Sequence, residues 1–217
     1  MKKRPRIPLL SFLLVLCFGI CTAHAAPKAP KANAVRDSYE KLVRSGCDVD
    51  KLKLNTALEA RVFRNALYAV VGRTFRSTEL TALFSQDGDW FPRKGGEIRV
   101  PKRDAICSQR LSKVEKRLKK TYKLPKKAVR IFTADPRVFL ELRKNKNLKE
   151  TGFRETSSTE WSWTFIFTDA CGGDGSPEQK NECSAMWITC SAEGKDLNKL
   201  TTVEDLKTVR CRIDYAG

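Results

Sequence analysis

Three kinds of side chain in this sequence could carry chemistry: cysteines in pairs, cations in a cluster, and scattered carboxylates. Histidine is missing from that set. The only histidine is His24, in a stretch that reads as a cleaved leader. A Ser-His-Asp triad, a Cys-His dyad and a histidine-ligated metal are therefore excluded from the mature chain. A carboxylate, a lysine or a tyrosine could still move protons, but no spacing singles out a catalytic group. A histidine-free hydrolase would draw on acidic residues such as Glu155, Glu160 or Asp169. Asp169, Asp174 and Glu178 surround Gly172, Gly173 and Gly175 without the order of an EF-hand, so a disulfide-closed turn is expected there and not a calcium loop. No metal and no cofactor is expected.

The leader is legible from three features. Lys2, Lys3, Arg4 and Arg6 form a positive start, Leu9 to Cys21 an apolar run, and Ala23-His24-Ala25 a small-x-small cleavage pattern. Residues 1–25 thus read as a secretory signal peptide, and the mature product is expected in the periplasm or outside the cell. No later window approaches the ~20 apolar residues of a spanning helix. Of eight cysteines, six follow the leader: Cys47, Cys107, Cys171, Cys183, Cys190 and Cys211. An even number in an exported chain points to disulfides; zinc is the rival, but there is no CxxC pair. Grouping along the chain favours Cys47 with Cys107. In the second half, Cys171 with Cys183 would close a Gly-rich loop and Cys190 with Cys211 would join two strand-like segments, although these partners could exchange.

Charge is the clearest binding signal. After the leader, 38 basic residues face 25 acidic ones, a net +13. Residues 93–130 hold 15 basic and 3 acidic residues, so nearly the whole excess lies there. Lys113, Lys116, Arg117, Lys119 and Lys120 occupy one side of an expected helix, with Lys123, Lys126 and Lys127 just beyond it. Such a patch attracts an anionic polymer or lipid headgroups. Only Tyr122 interrupts the lysines, so specific nucleic-acid readout is not expected. A solvated, solubilising face is the simpler alternative.

The elements that must position these groups follow from periodicity. Residues 26–36 form a Pro/Ala/Lys linker. Residues 37–127 read as a helical domain and 128–217 as an α+β subdomain. Thr56 with Glu59 fits a capping box, and Leu58, Val62, Ala66, Leu67 and Val70 then recur at helical spacing up to a stop at Gly72. Ser77 is placed to cap a second short helix. A third should begin near Asp104, with Cys107, Leu111, Val114, Leu118 and Tyr122 on its apolar side.

The run Arg64-Asn65-Ala66-Leu67-Tyr68-Ala69-Val70-Val71-Gly72-Arg73-Thr74-Phe75, followed by Glu79-Leu80, Phe84 and Trp90-Phe91-Pro92, resembles the YARHG domain. That is a small, extracellular bacterial domain named for a Tyr-Ala-Arg-His-Gly motif. The resemblance spans roughly residues 50–118. Tyr68, Ala69 and Gly72 keep the signature, while Val70 and Val71 stand where the family shows Arg and His. It implies an envelope or extracellular setting and no established molecular function. Arg64, Asn65, Tyr68, Ala69, Gly72, Phe75, Trp90 and Pro92 are its motif positions. They could form a small aromatic ligand site, or they could complete a helical core with Asn65 bonding a loop; the second is the more economical reading.

In the second half, Val129 to Thr133 reads as a short strand, and Asp135-Pro136 opens a helix through Leu142. Trp161, Trp163, Phe165 and Phe167 alternate and so share one face of a strand. A sugar-stacking platform would use that pattern, but the buried face of a sheet explains it more simply. Met186–Cys190 and Val209–Tyr215 complete three strands, an antiparallel sheet with a helix on one face. The class is therefore α+β: a small helical, YARHG-like domain followed by a disulfide-stapled α+β subdomain. The expected role is an exported, non-catalytic envelope protein that binds a partner protein or an anionic component. The alternatives are the carboxylate hydrolase and a secreted inhibitor or toxin-like protein.

Overall fold

The computed structural model describes residues 33–86, 99–169 and 184–216. The leader, Trp90, Pro92, Cys171, Cys183 and the Asp174–Glu178 loop lie outside the described residues. Helix α1 (Asn33–Arg44) begins inside the segment expected to be linker, since no Pro or Gly between Asn33 and Ser38 interrupts it. It ends in two bonds, Gly46 N–H to the Val43 carbonyl and Cys47 N–H to the Leu42 carbonyl, both 3.1 Å, with Gly46 at φ +67°. This is the Schellman arrangement, and it delivers Cys47 to its bridge.

Helix α2 (Ala57–Ala69) is capped as expected. The Glu59 amide donates to the Thr56 hydroxyl, and the Glu59 carboxylate accepts from the Thr56 amide at 2.9 Å. At its far end the Arg73 amide donates to the Tyr68 carbonyl and the Gly72 amide to the Ala69 carbonyl, with Gly72 at φ +85°. A β-branched residue resists that left-handed backbone, so Gly72→Val should destabilise the protein by roughly 1 kcal/mol or more in urea unfolding. A variant as stable as the wild type would show that the turn tolerates a side chain.

Helix α3 (Thr78–Ser85) follows Ser77, but that hydroxyl makes no cap bond. It accepts instead from Arg61 at 3.2 Å. Helix α4 (Lys102–Thr121) lies along α2, burying Cys107, Leu111 and Val114. The Cys47–Cys107 disulfide ties the end of α1 to its first turns.

One expected strand is a helix. Val129 to Thr133 belongs to α5 (Lys126–Ala134). The β-branched and aromatic residues suggested a strand, but burial at Ala128, Ile131 and Phe132 has the i, i+3, i+4 spacing of a helix face, and Thr133 and Ala134 at its end are buried as well. Helix α6 (Pro136–Lys144) opens at Asp135-Pro136 as expected.

Among the described residues the sheet has four antiparallel strands in sequence order: β1 (Leu148–Glu155), β2 (Glu160–Phe167), β3 (Ala185–Ser191) and β4 (Arg210–Ala216). Three were expected; β1 is additional, a polar segment with only Leu148 and Phe153 as large apolar residues. A bulge at Thr151 sets Glu150 opposite Phe165 and Gly152 opposite Thr164. It shifts the side-chain alternation by one. Leu148 and Glu150 face the helices before it, and Phe153 after it packs edge-on to Trp161 and Phe132.

The alternating rings of β2 are the buried sheet face: Trp161, Trp163 and Phe165 are fully buried, with Phe132 of α5 5.2 Å from Trp163. Each such side chain contributes on the order of 1.5–3 kcal/mol by leaving water, and none is free to stack on a sugar. Cys190 and Cys211 are direct cross-strand partners and form the second disulfide. A 3-10 turn at Leu197–Lys199 and helix α7 (Val203–Lys207) connect β3 to β4. The chain is thus α+β, and its buried side chains form one cluster from Tyr39 to Cys211.

Candidate functional site

The cations single out one side of the molecule. Lys113, Lys116, Arg117, Lys119 and Lys120 on α4, and Lys123, Lys126 and Lys127 after it, are all exposed. Two are committed to carboxylates: Lys119 to Glu115 at 2.6 Å and Lys127 to Glu155 at 2.5 Å, the latter also 5.5 Å above the Trp161 ring. Among the described residues the other six have no carboxylate within ion-pair reach.

Beside this patch the two halves of the chain enclose a cleft of about 400 Å³. The first turns of α2 supply Ala57, Leu58 and Arg61; α3 supplies Glu79; the end of α4 and its exit supply Lys119, Tyr122, Lys123 and Leu124. Lys126 and Val129 of α5, Glu150 of β1 and Trp163 of β2 complete the wall, which is mostly apolar. The bulge at Thr151 is what leaves Glu150 on this side of the sheet.

The two carboxyls in the wall behave differently. Burial raises Glu79, but the Ser77 hydroxyl and the Arg61 guanidinium, 2.5 Å away, hold it below its usual value. Burial pushes Glu150 up to about 8, the charge of Glu59 adds to the rise, and the indole N–H of Trp163 opposes it least of the three. That N–H lies outside hydrogen-bond geometry and is buried without a partner, as is Nη1 of Arg61. Burial, and then Glu150, also raise the Tyr122 phenol.

The shift at Glu150 has a pH consequence. Its folded value lies above the unfolded one of about 4.5, so the carboxyl costs nothing below that pH. As pH rises the unfolded chain releases the proton and the folded chain keeps it, and stability falls until about pH 8. Glu150→Gln should therefore gain stability relative to wild type between pH 5 and 9, by an amount on the order of a few kcal/mol. Denaturant unfolding at both pH values reads this; a constant difference between the two proteins would remove the assignment.

Behind the cleft a buried polar network joins the halves. Glu59, fully buried, accepts from the Asn55 and Thr56 amides at 2.9 Å and from Arg143 of α6 at 3.1 Å. Burial pushes its carboxyl up to about 7, against the pull of Arg143 and those amides. The Asn55 side chain donates to the Asn145 carbonyl at 3.0 Å and accepts from the Leu148 amide at 3.3 Å. The first turn of α2 is thereby tied to the end of α6 and the start of β1.

The motif residues of α2 serve mainly as ties to α4. The Tyr68 hydroxyl donates to Ser108 at 3.0 Å, and Arg64 pairs with Glu115 at 2.9 Å. Asn65 donates to the Arg61 carbonyl of its own helix at 2.8 Å and not to a loop, so its amide turns back by one helical turn. Ala69 is fully buried, Phe75 packs 5.4 Å from Phe84, and the Arg73 guanidinium lies 4.9 Å over the Tyr68 ring. A second, more polar cleft of about 710 Å³ opens between Arg64, Asn65, Tyr68, Arg73, Phe75 and Arg76.

Of the carboxylates named for a hydrolase, Asp169 is set apart from the other two. Glu155 and Glu160 flank the β1–β2 turn, with Glu155 held by Lys127, while Asp169 lies beyond the opposite end of β2 against Asn147. At ~3.3 Å per residue, the length of β2 separates Glu160 from Asp169. Among the described residues no cluster of His, Cys, Asp and Glu could hold a metal, and no helix is long and apolar enough to cross a membrane. Sequence reasoning missed Glu150, Glu79, Arg61 and Leu58 as cleft residues; only an acidic residue in an otherwise unremarked polar segment marks Glu150. No protein-family model, curated protein or solved structure matches this chain.

Proposed function

We propose that the protein is an exported, non-catalytic binding module of a bacterial envelope that docks on an anionic polymer or surface through α4 and its exit. The observation that carries this reading is the set of six exposed cations without carboxylate partners among the described residues, gathered on one helix and the five residues after it. The leader-like first 25 residues, the two disulfides and the YARHG resemblance support export and an envelope setting. Exposed charges interact over about 8–10 Å at physiological salt, so binding should weaken steeply as salt rises. Replacing Lys113, Lys116, Arg117 and Lys120 together with Gln should lower the salt at which the protein leaves a heparin column. Side chains on a solvated helix face contribute little to stability, so the fold should persist. Elution at the wild-type salt would reduce the patch to a solubilising face.

A second reading, a hydrolase working with carboxylates, is favoured by one observation. Glu79 and Glu150 line the same cleft with their pKa values pushed in opposite directions. It requires a turnover that both Glu79→Gln and Glu150→Gln abolish; a substrate still cleaved by either variant would end it.

A further inference from the structure

The polyanion reading uses the exposed cations of α4 and its exit, Lys123 and Lys126 among them, and leaves the apolar wall of the cleft beside them unexplained. We propose that this cleft binds a single-chain anionic amphiphile, its apolar tail against Leu58, Tyr122, Leu124 and Val129 and its head group between the ammonium groups of Lys123 and Lys126.

Three observations on the geometry support that occupant. The volume, about 400 Å³, falls at the small end of the ~300–1,000 Å³ typical of small-molecule sites, which suits one chain and not a two-tailed lipid. Its wall is apolar in the main, and burying a guest there removes apolar surface on both sides from water. Lys123 and Lys126 are exposed, line the same cleft and have no acidic partner among the described residues. The charge is complementary to an anion. An uncharged guest would leave the two ammonium groups unused, and a cationic one would be repelled by them.

The acidic groups in the wall do not oppose this. Glu79 is already paired with Arg61. Glu150 is held neutral at neutral pH by its burial, so it presents a carboxylic acid and not a charge to the guest. Arg61 and Trp163, both in the wall, each have a buried N–H that lacks a partner, and neither disfavours an acceptor-bearing ligand.

The inference goes beyond polyanion binding, and the two can fail separately because Val129 and Leu58 lie in the cleft while Lys113 and Lys116 do not line it. The test uses the full mature chain with its disulfides formed, dodecanoate as the probe and 1-dodecanol as the uncharged control, below the concentration at which either aggregates. Calorimetry should show saturable 1:1 binding of dodecanoate. Lys123→Gln/Lys126→Gln should weaken dodecanoate at least tenfold with little change for dodecanol. Val129→Trp, which fills the cleft, should abolish binding of both while elution from heparin stays at the wild-type salt. A measurement without mutation guards against misfolding: bound dodecanoate should protect Lys123 and Lys126 from amine acetylation and leave Lys113 and Lys116 reactive. Absence of saturable binding up to about 1 mM, unchanged binding in a folded Val129→Trp variant, or equal labelling of all four lysines with and without the probe would each overturn the proposal.

Discussion

Arg143→Met should cost the folded protein about 3–5 kcal/mol at pH 8 and far less at pH 5. Among the described residues the guanidinium is the only positive charge bonded to Glu59, a carboxylate with no exposed surface. Removing one partner of a buried ion pair leaves the other uncompensated, and that is where a cost of this size comes from. The pH dependence follows from the sign of the Glu59 shift. Its carboxyl is already pushed up to about 7 by burial with Arg143 in place; without Arg143 it must rise further. At pH 5 the carboxyl is then protonated in the folded variant and needs no counter-ion, whereas at pH 8 folding must either bury a charge or take up a proton. Arg143 also lies 5.4 Å over the Phe63 ring, and methionine retains part of that apolar contact. Urea unfolding at the two pH values measures the difference, and the Glu59→Gln background should remove most of it. A cost under about 1 kcal/mol at pH 8 would mean the pair contributes no more than a surface salt bridge.

The second large effect is oxidative. Cys47–Cys107 closes a loop of 60 residues and Cys190–Cys211 one of 21. Loop-closure entropy then gives about 4 kcal/mol for the first and about 3 kcal/mol for the second. Their sum is a large part of the ~5–15 kcal/mol by which domains are usually stable. Reduction should therefore bring the protein close to unfolding at ambient temperature, and Cys47→Ser/Cys107→Ser should be the more damaging of the two paired substitutions. All four sulfurs belong to buried residues, so alkylation of the native protein should leave them unmodified until a reductant is added. Unfolding midpoints that coincide with and without reductant would refute this estimate.

Three local signals were read correctly because one turn of chain explains each, whereas the Ser77 cap was not, since its hydroxyl accepts from Arg61 instead. Thr56 and Glu59 cap a helix because the two side chains and two amides lie within four residues. Gly72 stops it because the left-handed turn needs no tertiary support. Asp135 and Pro136 start α6 for the same kind of reason: the Asp135 side chain accepts from the Arg137 amide at 2.9 Å. The two disulfides follow from grouping and strand pairing. Misreadings arise where packing decides. Val129 to Thr133 has strand-like composition, but the inner sheet face needs Ile131 and Phe132 on one side, and a helix supplies them. Strand β1 carries Lys149, Glu150, Arg154 and Glu155 among eight residues, too polar to announce itself; its partner β2 makes it a strand. The cleft was least visible of all, because its wall is assembled from α2, α3, α4, α5, β1 and β2, and no segment holds more than a few of its residues. The basic patch was visible in advance, and its contact with an apolar cavity was not.

The carboxylate of Asp135 has a consequence outside its own helix. Besides capping α6 and pairing with Arg137, it accepts the Cys211 amide at 2.8 Å. Strand β4 borders the sheet, as β1 does on the other side, and a border strand offers unpaired amides to any neighbouring chain. Asp135 takes one of those amides on β4. Asn55 takes the Leu148 amide on β1, and the bulge at Thr151 interrupts the ladder three residues later. Arg210 and Arg212 on one border, and Lys149 and Arg154 on the other, add charges that a second copy would have to oppose. The side chains that fasten helices to the sheet thus also occupy one amide on each border strand that an added strand would need. Where an open margin invites fibrils, those two contacts make each border a poorer template for a neighbouring chain.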